Sequence, residues 1–441
     1  MLDDRKALHP VTSADAVGIQ RERHLRAEQT APAAQDGGES RPEAVSLGLK
    51  RVALAAAGVW LATRVAYVVY TYVVLAFGNT TAPRAQAFLE SWNQFDTRWF
   101  LLISQVGYST PVSSAFFPLY PTLIGLVTAA LGDAQGPVSP AFDGVRLLVA
   151  FGIANAATLL AFIGLALLAA HEYREEAVAR AAVWVLASYP FAFFLAAPYS
   201  DGPFLAAAVF VLYFARRGSW KWAALAAFLA GLTRPTAVTL VLPLAWEFGR
   251  QHGWWSRAVL RDWRGHLKDL PGGLLVVAAA PLALALYGVF LWQRFGTPLV
   301  WFNVQGSYWH RAAIPLWRIA GGLVRRMLTF QPLGAAEAHL LLNVVPLAIC
   351  LIVVAVSIRR IPFAFTLFVL GLCYISVSAP VFSTPELIES TSRFLLAAAP
   401  VFLVIGRWTA RRPALGHLWA ASGLMVQGGM LTFFFAGRWI A

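Results

Sequence analysis

The chain has 441 residues, of which 59% are hydrophobic and only 13% charged, with a mean hydropathy of +0.62. Charged residues reach about half of the ~25% usual in soluble domains, so the chain could not cover a water-facing surface. The net charge of +13 comes from basic residues scattered between apolar runs, which excludes a nucleic-acid-binding domain and suits loop charge and anionic lipid contacts in a membrane protein.

Residues 1–50 are polar, mixed in charge and rich in Ala, Glu, Arg, Gln and Gly. They lack a charged-then-apolar start, so they read as a disordered cytoplasmic tail and not as a cleavable signal. Residues 51–441 read as one all-α, polytopic membrane domain. Eleven apolar segments follow in order: Val52–Phe77, Leu147–Ala170, Ala181–Ala197, Pro203–Ala215, Trp222–Leu232, Ala237–Trp246, Leu274–Trp292, Leu340–Ser357, Pro362–Ala379, Phe394–Gly406 and Leu418–Ala436. Several fall short of the ~20 residues of a straight crossing. Phe116–Leu131 is a further candidate, carrying Pro118 and Pro121. If it dips in without crossing, four basic clusters fall inside: Arg216/Arg217/Lys221, Arg250 to Lys268, Arg359/Arg360, and Arg407/Arg411/Arg412.

The same count puts the polar interruptions together on the outer side. They are a first loop over residues 78–143, the Tyr199-Ser200-Asp201 turn, the Thr233-Arg234-Pro235 turn, a long loop over residues 294–339, and the loop with Glu386, Glu389 and Arg393. Within the first loop, Trp92, Phe95, Trp99, Leu102, Ile103 and Val106 follow helical spacing and predict an amphipathic helix in the interface. Asp96 sits beside that stripe. It reads either as a solvated carboxylate paired with Arg98 or as a base held against lipid, where desolvation raises basicity. Asp201 reads as a helix N-cap, a role compatible with ligand binding. Arg234 reads as a snorkelling side chain or a clamp for a lipid phosphate, and Arg311 and Arg393 are similar candidates.

Cys350 and Cys373 lie in apolar runs and read as small hydrophobes. The chain has no P-loop, no dinucleotide-type glycine pattern, no Cys-x-x-Cys pair and no Gly-x-Ser-x-Gly elbow. His171-Glu172-Tyr173-Arg174-Glu175 lacks the second His of a zinc-protease motif. No ligand cluster demands a metal, although Asp201 offers a carboxylate to a divalent cation.

Taken in order, several short motifs resemble the PIG-V-like mannosyltransferases, which include GPI mannosyltransferase II and bacterial homologues. They are Phe95-Asp96-Thr97-Arg98-Trp99-Phe100, Gly107-Tyr108, Phe116 to Pro121, Tyr199-Ser200-Asp201, Thr233-Arg234-Pro235, Gly296-Thr297-Pro298-Leu299, Gln305, Trp309-His310-Arg311, and Ser392-Arg393-Phe394 with Pro400. The chain departs from the family pattern in Phe95 for Trp, Phe100 and Phe394 for Tyr, and Asp201 for Glu. The resemblance implies a GT-C fold and an inverting transfer from a polyprenyl-phosphate sugar, with the acidic residue of the first outer loop, Asp96, as base. The expected partners are that donor, a glycan, glycolipid or protein acceptor, and the bilayer. The expected location is a bacterial cell membrane with its active site outside. Trp99, Tyr108, Tyr120, Tyr199 and Trp309 are expected to stack on sugar or lipid. Asp201 and Gln305 would contact substrate, and Arg234, Arg311 and Arg393 would meet phosphate. A transporter or lipid flippase is the competing class, but no inverted repeat is evident. A non-catalytic membrane subunit is a third reading.

Overall fold

The computed structural model describes residues 41–78, 84–132, 143–256, 263–329, 334–378, 380–381 and 387–440. The first forty residues of the expected tail, Arg257, Arg261 and Glu386 lie outside the described residues. Among those described the chain is all-α, with only isolated backbone bridges joining Arg311, Val381 and Leu387.

The first helix, α1, runs Arg41–Phe77. It begins eleven residues before the predicted apolar start at Val52. Pro42 near its beginning and the Glu, Ala and Leu that follow favour helix before the chain turns apolar. The outer loop supplies α2 (Arg84–Trp92), α3 (Asp96–Val106) and α4 (Leu119–Ala130). Next come α5 (Gly144–Tyr173), α6 (Glu176–Ala187), α7 (Asp201–Arg216), α8 (Trp220–Thr233) and α9 (Val241–Gln251). After these come α10 (Leu270–Phe295), α11 (Val300–Ser307), α12 (Leu316–Leu328), α13 (Ala335–Ser357) and α14 (Phe363–Ser378). The chain closes with α15 (Thr391–Phe394), α16 (Ala399–Arg411) and α17 (Pro413–Phe435).

Among the described residues five helices, α1, α5, α10, α13 and α17, are long and apolar enough to cross a membrane. A sixth span forms if the pair Thr391–Ala397 and Ala399–Arg411, bent by 77°, counts as one. The count of eleven expected crossings is therefore not recovered. The reason is local: several apolar segments are broken or short. The third stops at Ala187 and resumes as a 3-10 turn at Ala192–Leu195, while α7 and α8 have only 16 and 14 residues. Phe116–Leu131 becomes a 12-residue helix, α4, well below the ~20 residues of a straight crossing.

The core is the packing of α5 on α7, α7 on α8, α8 on α10 and α6 on α16. Lipid-like packing of helices relies on small residues that let backbones approach. Two glycines show it. A Cβ at Gly202 would strike Thr158 Oγ1 and the Ala154 carbonyl of α5, so the start of α7 lies directly on that helix. A Cβ at Gly406 would strike the backbone of Ala182, which sets α16 against α6.

The predicted single amphipathic helix over Trp92–Val106 is interrupted. Phe95 takes φ 46°, a left-handed value rare for an aromatic residue, and separates α2 from α3. Its ring is held edge-on by Trp439 at 5.0 Å and packs at a tilt on Phe434 at 5.9 Å, so tertiary contacts override the helical period. The buried face of α3 is Thr97, Phe100 and Ile103, rather than the stripe through Trp99, Leu102 and Val106. The break leaves Asp96 as the first residue of α3, where the positive end of the helix dipole favours a carboxylate.

Candidate active site

Four of the interrupted segments meet at one cluster of charges. The chain delivers each side chain by a distinct local device. Asp201 opens α7, after an unwound stretch whose carbonyls are held from the side. The Leu195 carbonyl accepts from Thr158 Oγ1 at 2.6 Å and Arg64 Nη2 at 3.0 Å, and the Ala196 carbonyl accepts from Asn155 Nδ2 at 3.0 Å. Arg234 follows α8 and precedes a proline. Steric conflict with the proline ring drives such a residue to extended backbone, here φ −155° and ψ 146°, which ends the helix. Arg393 lies on the short arm of the bent pair. There Asn343 Oδ1 accepts from the Ser392 amide at 3.1 Å and Tyr189 donates to the Ser392 carbonyl at 2.8 Å.

The resulting network is continuous. Arg393 Nη1 is 2.7 Å from Asp96 Oδ2. Arg393 Nη2 and Nε donate to Asp201 Oδ2 at 2.8 and 3.1 Å. Arg234 reaches the same carboxylate from its other side, with Nη1 2.8 Å from Oδ1 and Nη2 2.9 Å from Oδ2, and its Nε donates to Ser200 Oγ at 3.1 Å. Asp201 and Arg393 are buried, and the Asp96 side chain keeps 25% of its surface exposed. The Arg393 guanidinium lies over the Tyr199 ring at 4.5 Å and near Phe194 and Trp439. Two guanidiniums and two carboxylates thus balance within a low-dielectric surrounding, and only Asp96 among the four carboxylate and guanidinium groups is substantially open to solvent.

Arg311 stands at the margin. Its guanidinium and that of Arg234 sit 5.9 and 6.0 Å from the Phe394 ring. Its Nε is buried without a protein partner, as is Asn93 Oδ1 three residues before Asp96. Burial pulls the Arg311 pKa below its ordinary value, against the raising effect of the Glu389 charge. Buried polar atoms left unpaired are costly.

The network revises several expectations. Asp96 pairs with Arg393, while Arg98 instead donates to the Asn93 carbonyl. Asp201 is the first residue of α7 and not its N-cap, a position taken by Ser200, whose side chain makes no cap bond. Both its oxygens are taken by arginine, which leaves no lone pair aimed outward for a cation. Arg234 is an ion-pair partner and not a snorkelling chain. Among the described residues no group of three or more His, Cys, Asp or Glu is placed to hold a metal ion.

The aromatic candidates divide. Trp99 stacks on Phe116 at 5.5 Å, and Trp309 meets that ring edge-on at 6.1 Å, both with partly exposed surfaces. Tyr120 and Tyr199 are fully buried. Tyr120 donates to the Ala150 carbonyl at 2.8 Å and Tyr199 to the Gln94 carbonyl at 3.0 Å, so they brace the site and offer no free face to a sugar. Tyr108 is also buried and ties the Phe116 carbonyl at 2.7 Å. The Gln305 carbonyl accepts from the Arg311 amide at 2.9 Å, which sets the turn that carries Arg311. The sequence reading missed Trp439, Phe434 and Phe194. The aromatic run Phe433-Phe434-Phe435 with Trp439 was the available signal, but nothing in its spacing points to Arg393.

A family model described as Mannosyltransferase (PIG-V) matches residues 61–317, more than half of the chain. The chain belongs to the PIG-V mannosyltransferase family. The matched stretch holds Asp96, Asp201, Arg234 and Arg311, and Arg393 lies beyond it. Membership supports a membrane glycosyltransferase over the transporter reading. A comparison with curated proteins gives no match. Among solved structures, this PIG-V family protein is similar to the Archaeoglobus fulgidus oligosaccharyltransferase in complex with zinc and sulfate, at 14% identity and a TM-score of 0.39, covering 79% of this chain and 49% of that one. It is also similar to the archaeal oligosaccharyltransferase AglB of that organism in complex with an inhibitory peptide and a dolichol-phosphate, at 13% identity and a TM-score of 0.36, covering 79% and 51%. The chain spans about half the length of these structures.

Proposed function

We propose that this protein is an inverting GT-C mannosyltransferase that moves a hexose, mannose by family, from a polyprenyl-phosphate donor to a lipid, glycan or protein acceptor outside the cytoplasm of a bacterial cell. The observation that carries the reading is the 2.7 Å pairing of the partly exposed Asp96 carboxylate with the buried Arg393 guanidinium. It sets a proton acceptor beside the positive charge that a phosphate leaving group requires.

In the proposed step the acceptor hydroxyl gives its proton to Asp96 while its oxygen attacks C1 of the sugar. The C1–O bond to phosphate breaks on the opposite face, and its electron pair leaves with the polyprenyl phosphate. Oδ2 of Asp96 carries the ion pair, so Oδ1 is the oxygen assigned to the proton. General base catalysis of this kind contributes ~10²–10⁴ in rate. Negative charge grows on the leaving phosphate as the bond breaks, and Arg393, Arg234 and Arg311 are preorganised around it. Trp99 and Trp309, the partly exposed aromatics, are assigned to the sugar or the first isoprene unit.

Incubation of membranes holding the protein with labelled polyprenyl-phosphate mannose tests the reading. Label should pass to an acceptor in membranes with wild-type protein and not in membranes with Asp96→Asn. Equal transfer by both would remove Asp96 from the chemistry. No transfer from any polyprenyl-phosphate hexose would end the donor assignment.

A further inference from the structure

A second polar feature lies away from this cluster, inside the first apolar helix. Arg64 is past the middle of the candidate span Gly48–Phe77, nearer the Phe77 end. A cation at such depth is costly unless it is paired or serves a function. Arg64 has three neutral acceptors: Asn155 Oδ1 at 2.6 Å from Nε, Thr63 Oγ1 at 3.0 Å from Nη1 and the Leu195 carbonyl at 3.0 Å from Nη2. Trp60, Tyr67 and Phe162 rings lie 5.5 to 6.0 Å from the guanidinium. Among the described residues no carboxylate is within ion-pair reach of it, whereas Arg216, Arg234 and Arg393 all have one. A guanidinium has five N–H donors, so two are left after these three bonds.

Arg64 also lines a cleft of about 180 Å³, together with Tyr67, Phe88, Trp92, Phe151 and Asn155. Its walls are apolar apart from Arg64 and Asn155. Val68 and Leu148 also line it and are more than half exposed, so the cleft faces the side of the helix bundle that meets hydrocarbon. Neither Asp96 nor Arg393 is among the residues lining the cleft. Trp92 packs on Phe434 at 6.3 Å, and Phe434 packs on Tyr199, over which Arg393 lies.

We propose that this cleft binds one anionic phospholipid from the leaflet at the Phe77 end of α1, its phosphate pairing with Arg64 and its chain lying against Val68 and Leu148. Charge complementarity carries the assignment: an apolar slot open to lipid is lined by one cation, Arg64, which has no counter-ion among the described residues. The same arginine holds the Leu195 carbonyl that leads into Asp201, so the bound lipid steadies the segment that presents that carboxylate. The proposal is independent of sugar transfer.

The test is native mass spectrometry of the full chain released from nanodiscs of mixed phosphatidylcholine and phosphatidylglycerol. Wild type should retain one phosphatidylglycerol in preference to phosphatidylcholine. Arg64→Gln should reduce that retention at least tenfold. Leu148→Trp fills the mouth from an exposed position, leaves the Arg64 bonds in place and should give the same loss, which decides the matter should Arg64→Gln not fold. Equal retention of the two lipids by wild type, or undiminished retention in Leu148→Trp, overturns the proposal. One-for-one displacement of phosphatidylglycerol by added polyprenyl phosphate would overturn it too, by making the cleft a donor site.

Discussion

Asp201 and Arg393 are joined through two nitrogens of one guanidinium, at 2.8 and 3.1 Å, although 192 positions separate them in the chain. Both are buried, and Asp201 is shared with Arg234. Removing one partner of a buried ion pair leaves an uncompensated charge and costs ~3–5 kcal/mol. Asp201→Asn should therefore lower the melting temperature of the purified protein strongly, while Asp201→Glu, which keeps the charge and is the residue of the family motif, should lose much less. Thermal unfolding in detergent checks it, and equal loss in the two variants would count against a charge-based role.

Asp96 differs from Asp201 in being open to solvent and in having one arginine instead of two. Asp96→Asn should leave the melting temperature within a few degrees of wild type and lower turnover by about two orders of magnitude or more. Transfer from labelled polyprenyl-phosphate mannose measures it, and near-normal turnover by a folded Asp96→Asn protein rejects the base assignment.

Arg311 has an unpaired buried Nε and no carboxylate within ion-pair distance among the described residues. A charged hydrogen bond to phosphate contributes ~1.5–3 kcal/mol, and 1.4 kcal/mol is tenfold in affinity. Arg311→Gln should raise the donor KM about tenfold or more with little change in stability. An unaltered donor KM removes Arg311 from the phosphate site.

Glu247 offers a control. It is buried and hydrogen-bonded to Arg216 at 2.9 Å and Arg250 at 2.6 Å, and Arg216 also binds Glu172 at 2.6 Å. This group sits at the Arg216 end of α7, away from Asp201. Glu247→Gln should reduce stability by a few kcal/mol and leave the donor KM of the surviving folded protein unchanged. A large KM change would mean that the two ends of α7 communicate.

Much of this site was legible in the sequence because membrane chains make polar residues conspicuous. Asp96, Asp201, Arg234, Arg311 and Arg393 each interrupt apolar pattern, and the ordered motifs around them carried the family. Their mutual arrangement was not legible. Nothing in Ser392-Arg393-Phe394 says that Arg393 bridges two carboxylates from different loops, because such partners are set by tertiary packing. The break at Phe95 was missed for the same reason. Helical spacing continues through it, and the rings that pack on Phe95 at the break, Phe434 and Trp439, lie more than 300 positions away in the chain. The stacking roles assigned to Tyr120 and Tyr199 show the converse, since an aromatic residue in a motif reads alike whether its face meets a sugar or another ring.

The 16 residues of α7 span ~24 Å at 1.5 Å per residue, and ionic bolts secure both extremities. Such a rod cannot piston along its own axis without shearing one of them. Travel of α7 therefore takes Glu172, Glu247 and Arg393 along with it, or does not occur.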